Sequence, residues 1–144
     1  MALSWIHETS PHWDPNKSRI IGAAGSGVFD LGPFAERELI PGEWWRVEDN
    51  SKVVGYGWMD TTWGDAEILL AVDPTQQHRG VGTFILDRLE QEAAARGLNY
   101  LYNVVRPTHP HRSRITRWLQ ERRFQPSADD RLMRRVEGSV QGTI

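Results

Sequence analysis

The sequence predicts an α/β (α+β) protein in which a mixed central sheet is flanked by helices. Three stretches carry that expectation. Residues 43–48 and 52–63 flank Asp49-Asn50-Ser51 and read as an antiparallel hairpin. Residues 66–73, AEILLAVD, form a nearly continuous apolar run, the pattern of a central strand covered on both faces. Residues 82–106 then read as helix followed by strand. A strand–helix–strand unit of this kind pairs its strands in parallel through a crossover.

The remaining elements follow in order. Residues 3–8 alternate Leu3, Trp5 and His7 against Ser4, Ile6 and Glu8, as a first strand would. Asp14-Pro15 starts a helix, although Gly22 and Gly25 each cost it about 1 kcal/mol relative to alanine. Residues 22–35 hold four glycines and one proline and read as loop or frayed helix, a natural wall for a ligand. A short helix is expected over 34–39, ended by Pro41-Gly42. In the hairpin, Val54, Tyr56, Trp58 and Asp60 share one face. Gly55 and Gly57 on the other face call for a close neighbour there, a packed helix or a ligand. Asp73-Pro74 ends the central strand. The helix over 82–96 sets Ile85, Leu86, Leu89 and Ala93 on one stripe, with Gly97 as its cap. Residues 98–106 form the second parallel strand, and 111–123 form a helix with Ile115, Trp118 and Leu119 inward. Phe124 leads into a terminal strand, with a last turn at Asp129-Asp130 before 131–136. Residues 1–136 read as a single domain and 137–144 as a flexible tail.

Composition excludes several classes. The 144 residues include no cysteine, so disulfides and thiolate metal sites are excluded. His109 and His111 form a loop pair with no third ligand, so no metal is expected. No apolar run approaches the ~18 residues of a membrane span, and the first residues lack a secretion signal. A cytoplasmic protein is the default expectation. Net charge is −2, but residues 1–75 hold 12 acidic and 5 basic side chains, whereas 76–144 hold 7 and 12. That division fits an anion bound by the C-terminal half and a cation received by the N-terminal half. Nucleic acid is not expected, because total charge is near neutral and the arginines are not interleaved with aromatics.

Between the central strand and its helix lies Gln77-His78-Arg79-Gly80-Val81-Gly82. A strand that passes through two glycines into a helix makes an anion site, because free N–H groups and the helix dipole point the same way. A dinucleotide fingerprint would require glycine where Ile85 stands. A P-loop would require lysine after the second glycine, where Thr83 stands.

Ala71-Val72-Asp73-Pro74, then Gln77, Gly80 and Gly82, then Ala95-Arg96-Gly97 closing the helix, resemble motif A of the GNAT superfamily of acetyl-CoA-dependent N-acetyltransferases. The resemblance covers residues 60–140 well and the first 42 only loosely. It implies a GNAT fold whose two central parallel strands splay apart. The cofactor-side residues it implies are Gln77, His78, Arg79, Gly80, Val81, Gly82 and Thr83 around the pyrophosphate of coenzyme A. Leu70, Ala71 and Val72 would lie along the pantetheine arm, with Asn103 flanking the gap. Arg79 and, of the six arginines in 106–123, Arg112 are those expected at the phosphates.

The implied reaction is direct attack of a primary amine on the thioester. Its catalytic candidates are Glu67 as base, with Asp60 and Asp65 as rivals, the Val72 N–H as donor to the developing oxyanion, and Tyr102 or a water as acid. Glu67 lies five residues before Val72 where the family pattern has six, so a bulge is needed to restore its face. Where many members carry a tyrosine acid in the last helix, this chain has Leu119. Trp45, Tyr56, Trp58 and Asp60 make a candidate wall for a cationic amine. The partners implied are acetyl-CoA and an amine acceptor, a small molecule or an amino group, with a homodimer as the assembly the reading allows. The alternatives are a protein lysine or N-terminal acetyltransferase and a non-catalytic acyl-CoA-binding module.

Overall fold

The computed structural model describes residues 2–22, 34–105, 111–127 and 131–136. Its elements are β1 (Leu3–Glu8), α1 (Pro15–Gly22), β2 (Glu43–Asp49), β3 (Lys52–Thr62), β4 (Asp65–Val72), α2 (Val81–Ala95), β5 (Tyr100–Val104), α3 (Arg112–Gln120), β6 (Gln125–Pro126) and β7 (Arg131–Arg135). One seven-stranded sheet has the order β1-β2-β3-β4-β5-β7-β6. Only β4 and β5 run parallel, and α2 is the crossover between them. The glycine-rich residues 23–33, His109-Pro110, the Asp129-Asp130 turn and the 137–144 tail lie outside the described residues.

Two apolar layers cover the sheet. On one face Trp45, Val47, Met59, Ile68 and Leu101 pack against Ile85, Leu86 and Leu89 of α2 and Leu119 of α3. On the other, Trp44, Val53, Tyr56, Trp58 and Ala71 pack against Ile20 and Ile21 of α1. Both faces being covered explains how the adjacent Trp44 and Trp45 are each buried, one in each layer. At about 1.5–3 kcal/mol per large apolar side chain removed from water, these layers dominate local propensity. Helix α1 shows this. Its sequence is a poor helix, yet Asp14 caps the Lys17 amide at 2.8 Å, and buried Lys17 reaches Glu8 at 2.7 Å and Asp14 at 3.0 Å.

Three expectations are corrected. Residues 34–39 form a turn, with Glu38 N donating to Ala35 O at 3.0 Å and Arg37 at φ 68°, in place of the expected helix. Leu39 is 72% exposed, so no apolar stripe holds a helix there. Val54 does not share a face with Tyr56 and Trp58. Val47 pairs with Gly55 and Glu48 with Val53, so Val54 is the extra residue of a bulge and turns into the α2 layer. Strand β3 ends at Thr62, and Trp63-Gly64 form the turn into β4, both at positive φ. The neighbour that Gly55 and Gly57 call for is helix α2. A Cβ on Gly57 would sit 2.8 Å from Trp5 and 3.0 Å from Ile85.

Candidate active site

Strands β4 and β5 pair only through Asp65–Tyr100, Ala66–Leu101 and Glu67–Tyr102. Beyond that pair they diverge. Asn103 stands at the apex, buried, and its Nδ2 donates to the Ile68 carbonyl at 2.7 Å, so a side chain closes the ladder where backbone no longer can. The Asp73 amide donates to Val54 O at 2.8 Å on the β3 side. Strand alternation therefore turns the Val72 and Leu70 amides to the opposite edge, into the opening between β4 and β5. Ala71, by the same alternation, directs its polar backbone to β3 and its side chain into the α1 layer, so it offers the opening no hydrogen bond.

The glycine loop continues from the wide end of this fork. Asp73 accepts from Thr75 N at 2.9 Å, from Thr75 Oγ1 at 2.8 Å and from Arg19 of α1. Burial alone would raise this carboxyl, but the Thr75 and Arg19 hydrogen bonds outweigh it and hold it below the usual carboxylate range. Gln77, His78, Arg79, Gly80 and Thr83 are exposed, while Val81 anchors the start of α2 in the core. Gly80 sits at φ 85°, which favours glycine, and His78 at φ 64°. The first bond of α2 runs from Phe84 N to Gly80 O at 3.0 Å. The amides of Val81, Gly82 and Thr83 thus have no acceptor within the helix.

Helix α3 closes the other side of this loop through Trp118, which sequence reasoning assigned only to the core, and Arg122, which it did not choose among the six arginines of 106–123. A Cβ on Gly82 would lie 3.4 Å from the Trp118 ring. Arg122 lies 3.9 Å over the same ring and donates to Trp118 O at 3.1 Å and Thr83 Oγ1 at 3.2 Å. Arg112 is elsewhere. It begins α3 while Arg122 follows the end of that helix, so the length of α3, about 12 Å, lies between them, and it lines a separate cavity with Thr116 and Ser127. The signal for Arg122 was its place four residues after Trp118, just past the helix end, from which its guanidinium turns back onto that residue.

On the face opposite α2, register aligns one row across four strands: Asp60 of β3, Glu67 of β4, Tyr102 of β5 and Met133 of β7. Burial, and after it the Glu67 carboxylate, pushes the Tyr102 phenol up, against the opposing charge of Arg131. Arg131 lies 4.7 Å over the Tyr102 ring. The expected aromatic wall is smaller than its four residues. Trp45 is in the α2 layer, stacked 5.4 Å from Trp5, because adjacent strand residues face opposite ways. Tyr56 and Trp58 do share the Asp60 face but are buried. Tyr56 packs against Lys17 at 5.0 Å, and Trp58 Nε1 donates to Pro41 O at 3.1 Å.

The β3–β4 register is unbroken from Asp65 to Val72, so the bulge that would bring Glu67 and Val72 to one face is absent from β4. Five residues of strand span about 17 Å. A carbonyl held by the Val72 amide is therefore beyond direct reach of Glu67. The Leu70 amide faces the same opening three residues from Glu67, about 10 Å along the strand. Leu119 is fully buried among the α2 layer, so that position of α3 contributes packing and no acid. Among the described residues no group of three or more His, Asp or Glu could hold a metal ion, and no helix is long and apolar enough to cross a membrane.

The chain has relatives in both sequence and fold. The profile of the acetyltransferase (GNAT) family matches residues 7–119. The amino-acid acetyltransferase of Pseudomonas syringae pv. syringae is 38% identical over 63 residues, which is 44% of this chain and 13% of that protein. The chain thus spans a small fraction of the length of the curated relatives it matches. N-acetylglutamate synthase from Neisseria gonorrhoeae, complexed with coenzyme A and N-acetyl-glutamate, superposes with a TM-score of 0.71 at 19% identity, over 95% of this chain and 36% of that one. The ribosomal-protein-S18-alanine N-acetyltransferase from Escherichia coli superposes with a TM-score of 0.61 at 15% identity, over 99% of both chains. At these identities the structural likeness is one of fold.

Proposed function

The chain belongs to the acetyltransferase (GNAT) family, and we propose that it transfers an acetyl group from acetyl-CoA to the primary amine of a small-molecule acceptor. The observation that carries this reading is the fork. Glu67 and Tyr102 form the last pair before β4 and β5 part, and the open edge of β4 leads directly to the amides at the start of α2. The residues present fit coenzyme A. Three helix-start amides, Arg79 and Arg122 suit its phosphates, and the Leu70 and Val72 amides suit the amide groups of its pantetheine arm.

Acetyl-CoA supplies the thioester; the chain's groups position it and move protons. An alkylammonium of pKa ~10.4 is only about one part in 10³ neutral at pH 7, so a base is worth having. Glu67 takes, through water, the proton that the amine sheds as its N–C bond forms. The Leu70 amide, nearer to Glu67 than Val72 is, stabilises the developing oxyanion. Tyr102, held protonated, stands to give a proton to sulfur as the C–S bond breaks. Without Leu119 as an acid the loss is modest, since a thiol of pKa ~8.5 is a tolerable leaving group near neutrality. The name of the curated relatives favours a small acceptor over a protein.

The test is thiol release from acetyl-CoA over a panel of amines, amino acids and peptides, repeated with Glu67→Gln. A positioned base contributes about 10²–10⁴-fold, so the variant should lose at least 10²-fold in kcat and the acidic limb of its pH profile while binding coenzyme A normally. Full activity in the variant removes Glu67 from this role. A second reading, a non-catalytic acyl-CoA-binding module, draws on Leu119 standing where an acid would. Coenzyme A binding without thiol release from any amine in the panel would favour it.

A further inference from the structure

Four arginines are tied into the fold by carboxylates, so their charge is spent there. Arg134 pairs with Glu90 at 2.8 Å, Arg96 with Glu43 at 2.8 Å and Glu92 at 2.9 Å, Arg46 with Glu48 at 2.8 Å, and Arg19 with Asp73. Arg131 differs. Among the described residues it pairs with no carboxylate; its guanidinium is held only by the Tyr102 ring, at 4.7 Å. It opens β7 opposite Val104, two residues along from Met133 in the row Asp60–Glu67–Tyr102–Met133. The two sides of Tyr102 therefore carry opposite charge, with Asp60 and Glu67 toward β3 and Arg131 toward β7.

A diamine or other purely cationic acceptor would be drawn to the first side and repelled by the second. A purely anionic acceptor would meet the reverse. A molecule that carries an amine and a carboxylate a few ångströms apart satisfies both, and a guanidinium fork suits a carboxylate in particular. We propose that the acceptor is an amino acid, with its carboxylate held by Arg131 and its amine directed toward Glu67. This rests on the acetyltransferase reading above and deepens it, since it makes Arg131 the residue that sets acceptor class.

The experiment measures binding and turnover separately, using the full chain saturated with coenzyme A or acetyl-CoA. Calorimetry surveys the protein amino acids. For each one bound, its decarboxylated counterpart follows, such as phenethylamine for phenylalanine, isopentylamine for leucine and cadaverine for lysine. The expected result is at least one amino acid bound more tightly than its decarboxylated amine. Arg131→Gln should then collapse that preference by roughly 10- to 100-fold, the range expected for a hydrogen bond to a charged group. Arg131→Lys should keep part of it, as a point charge without the fork. A melting curve for each variant checks that the fold is kept. If no amino acid binds, if the decarboxylated amine binds as tightly, or if Arg131→Gln weakens both partners equally, the proposal is overturned. If amino acids bind with the expected preference but release no thiol, Arg131 keeps its role and the transfer reaction is what fails.

Discussion

Asp73 illustrates how one side chain joins the fold to the site. It ends β4, caps the turn that leads into the glycine loop, and receives Arg19 from α1. Asp73→Ala should cost about 2 kcal/mol, from a lost cap and a lost charge-assisted hydrogen bond, measurable as a shift in the urea midpoint at constant m-value. Its carboxyl titrates lower folded than unfolded. The stability it provides is therefore complete above the unfolded value near 3.9 and is lost as pH falls through the folded one. Asp73→Asn should flatten that part of the acid-unfolding curve, and an unchanged curve would remove Asp73 as its source. Tyr102 has the opposite sign. Its phenol is raised, so it stays protonated above the ordinary tyrosine range, and Tyr102→Phe should slow turnover without weakening coenzyme A binding. Equal losses in both would mark it as a packing residue.

In the proposed cofactor site, α3 meets the start of α2. Arg122 links the Trp118 carbonyl and ring to Thr83 at the start of α2. Arg122→Ala should weaken coenzyme A binding about tenfold, the scale of a hydrogen bond to a charged group, and should reduce the salt dependence of that affinity. Arg112→Ala should do neither; a larger effect from Arg112 would reverse this assignment. The sequence made the strands, both long helices and the loop legible because their signals are local: alternation, an apolar stripe, glycines at a turn. The bulge at Val54 left no such trace, since one extra residue in β3 is visible only against the register of β2. The same limit separated Arg122 from its neighbours. Six arginines in one segment look alike until α3 is docked, and docking is set by Ile115, Trp118 and Leu119 against the core. Helix α1 looked weak because its cap and its Lys17 ion pairs come from outside the helix.

Among the described residues, the sheet is continuous from β1 to β4 and from β5 to β6, and it opens at its centre, between β4 and β5. A ligand laid in that opening and across the start of α2 couples the two halves of the sheet. Coenzyme A at 100 times its dissociation constant should add about 2.7 kcal/mol of stability, raising the melting temperature by roughly 8 °C in a chain of this size. Amide exchange should slow most at Leu70, Val72, Val81, Gly82 and Thr83; uniform slowing over the sheet would place the ligand elsewhere. The seven tryptophans add a means of watching this happen. Trp63, 96% exposed at the β3–β4 turn, emits from water, and Trp5, Trp44, Trp45 and Trp58 emit from packed layers. Trp118, half-buried beneath a guanidinium and beside Gly82, is the indole that touches the glycine loop. On the proposed reading, a cofactor phosphate that draws Arg122 off that ring should change its quenching, and Trp118→Phe is the control that silences the signal.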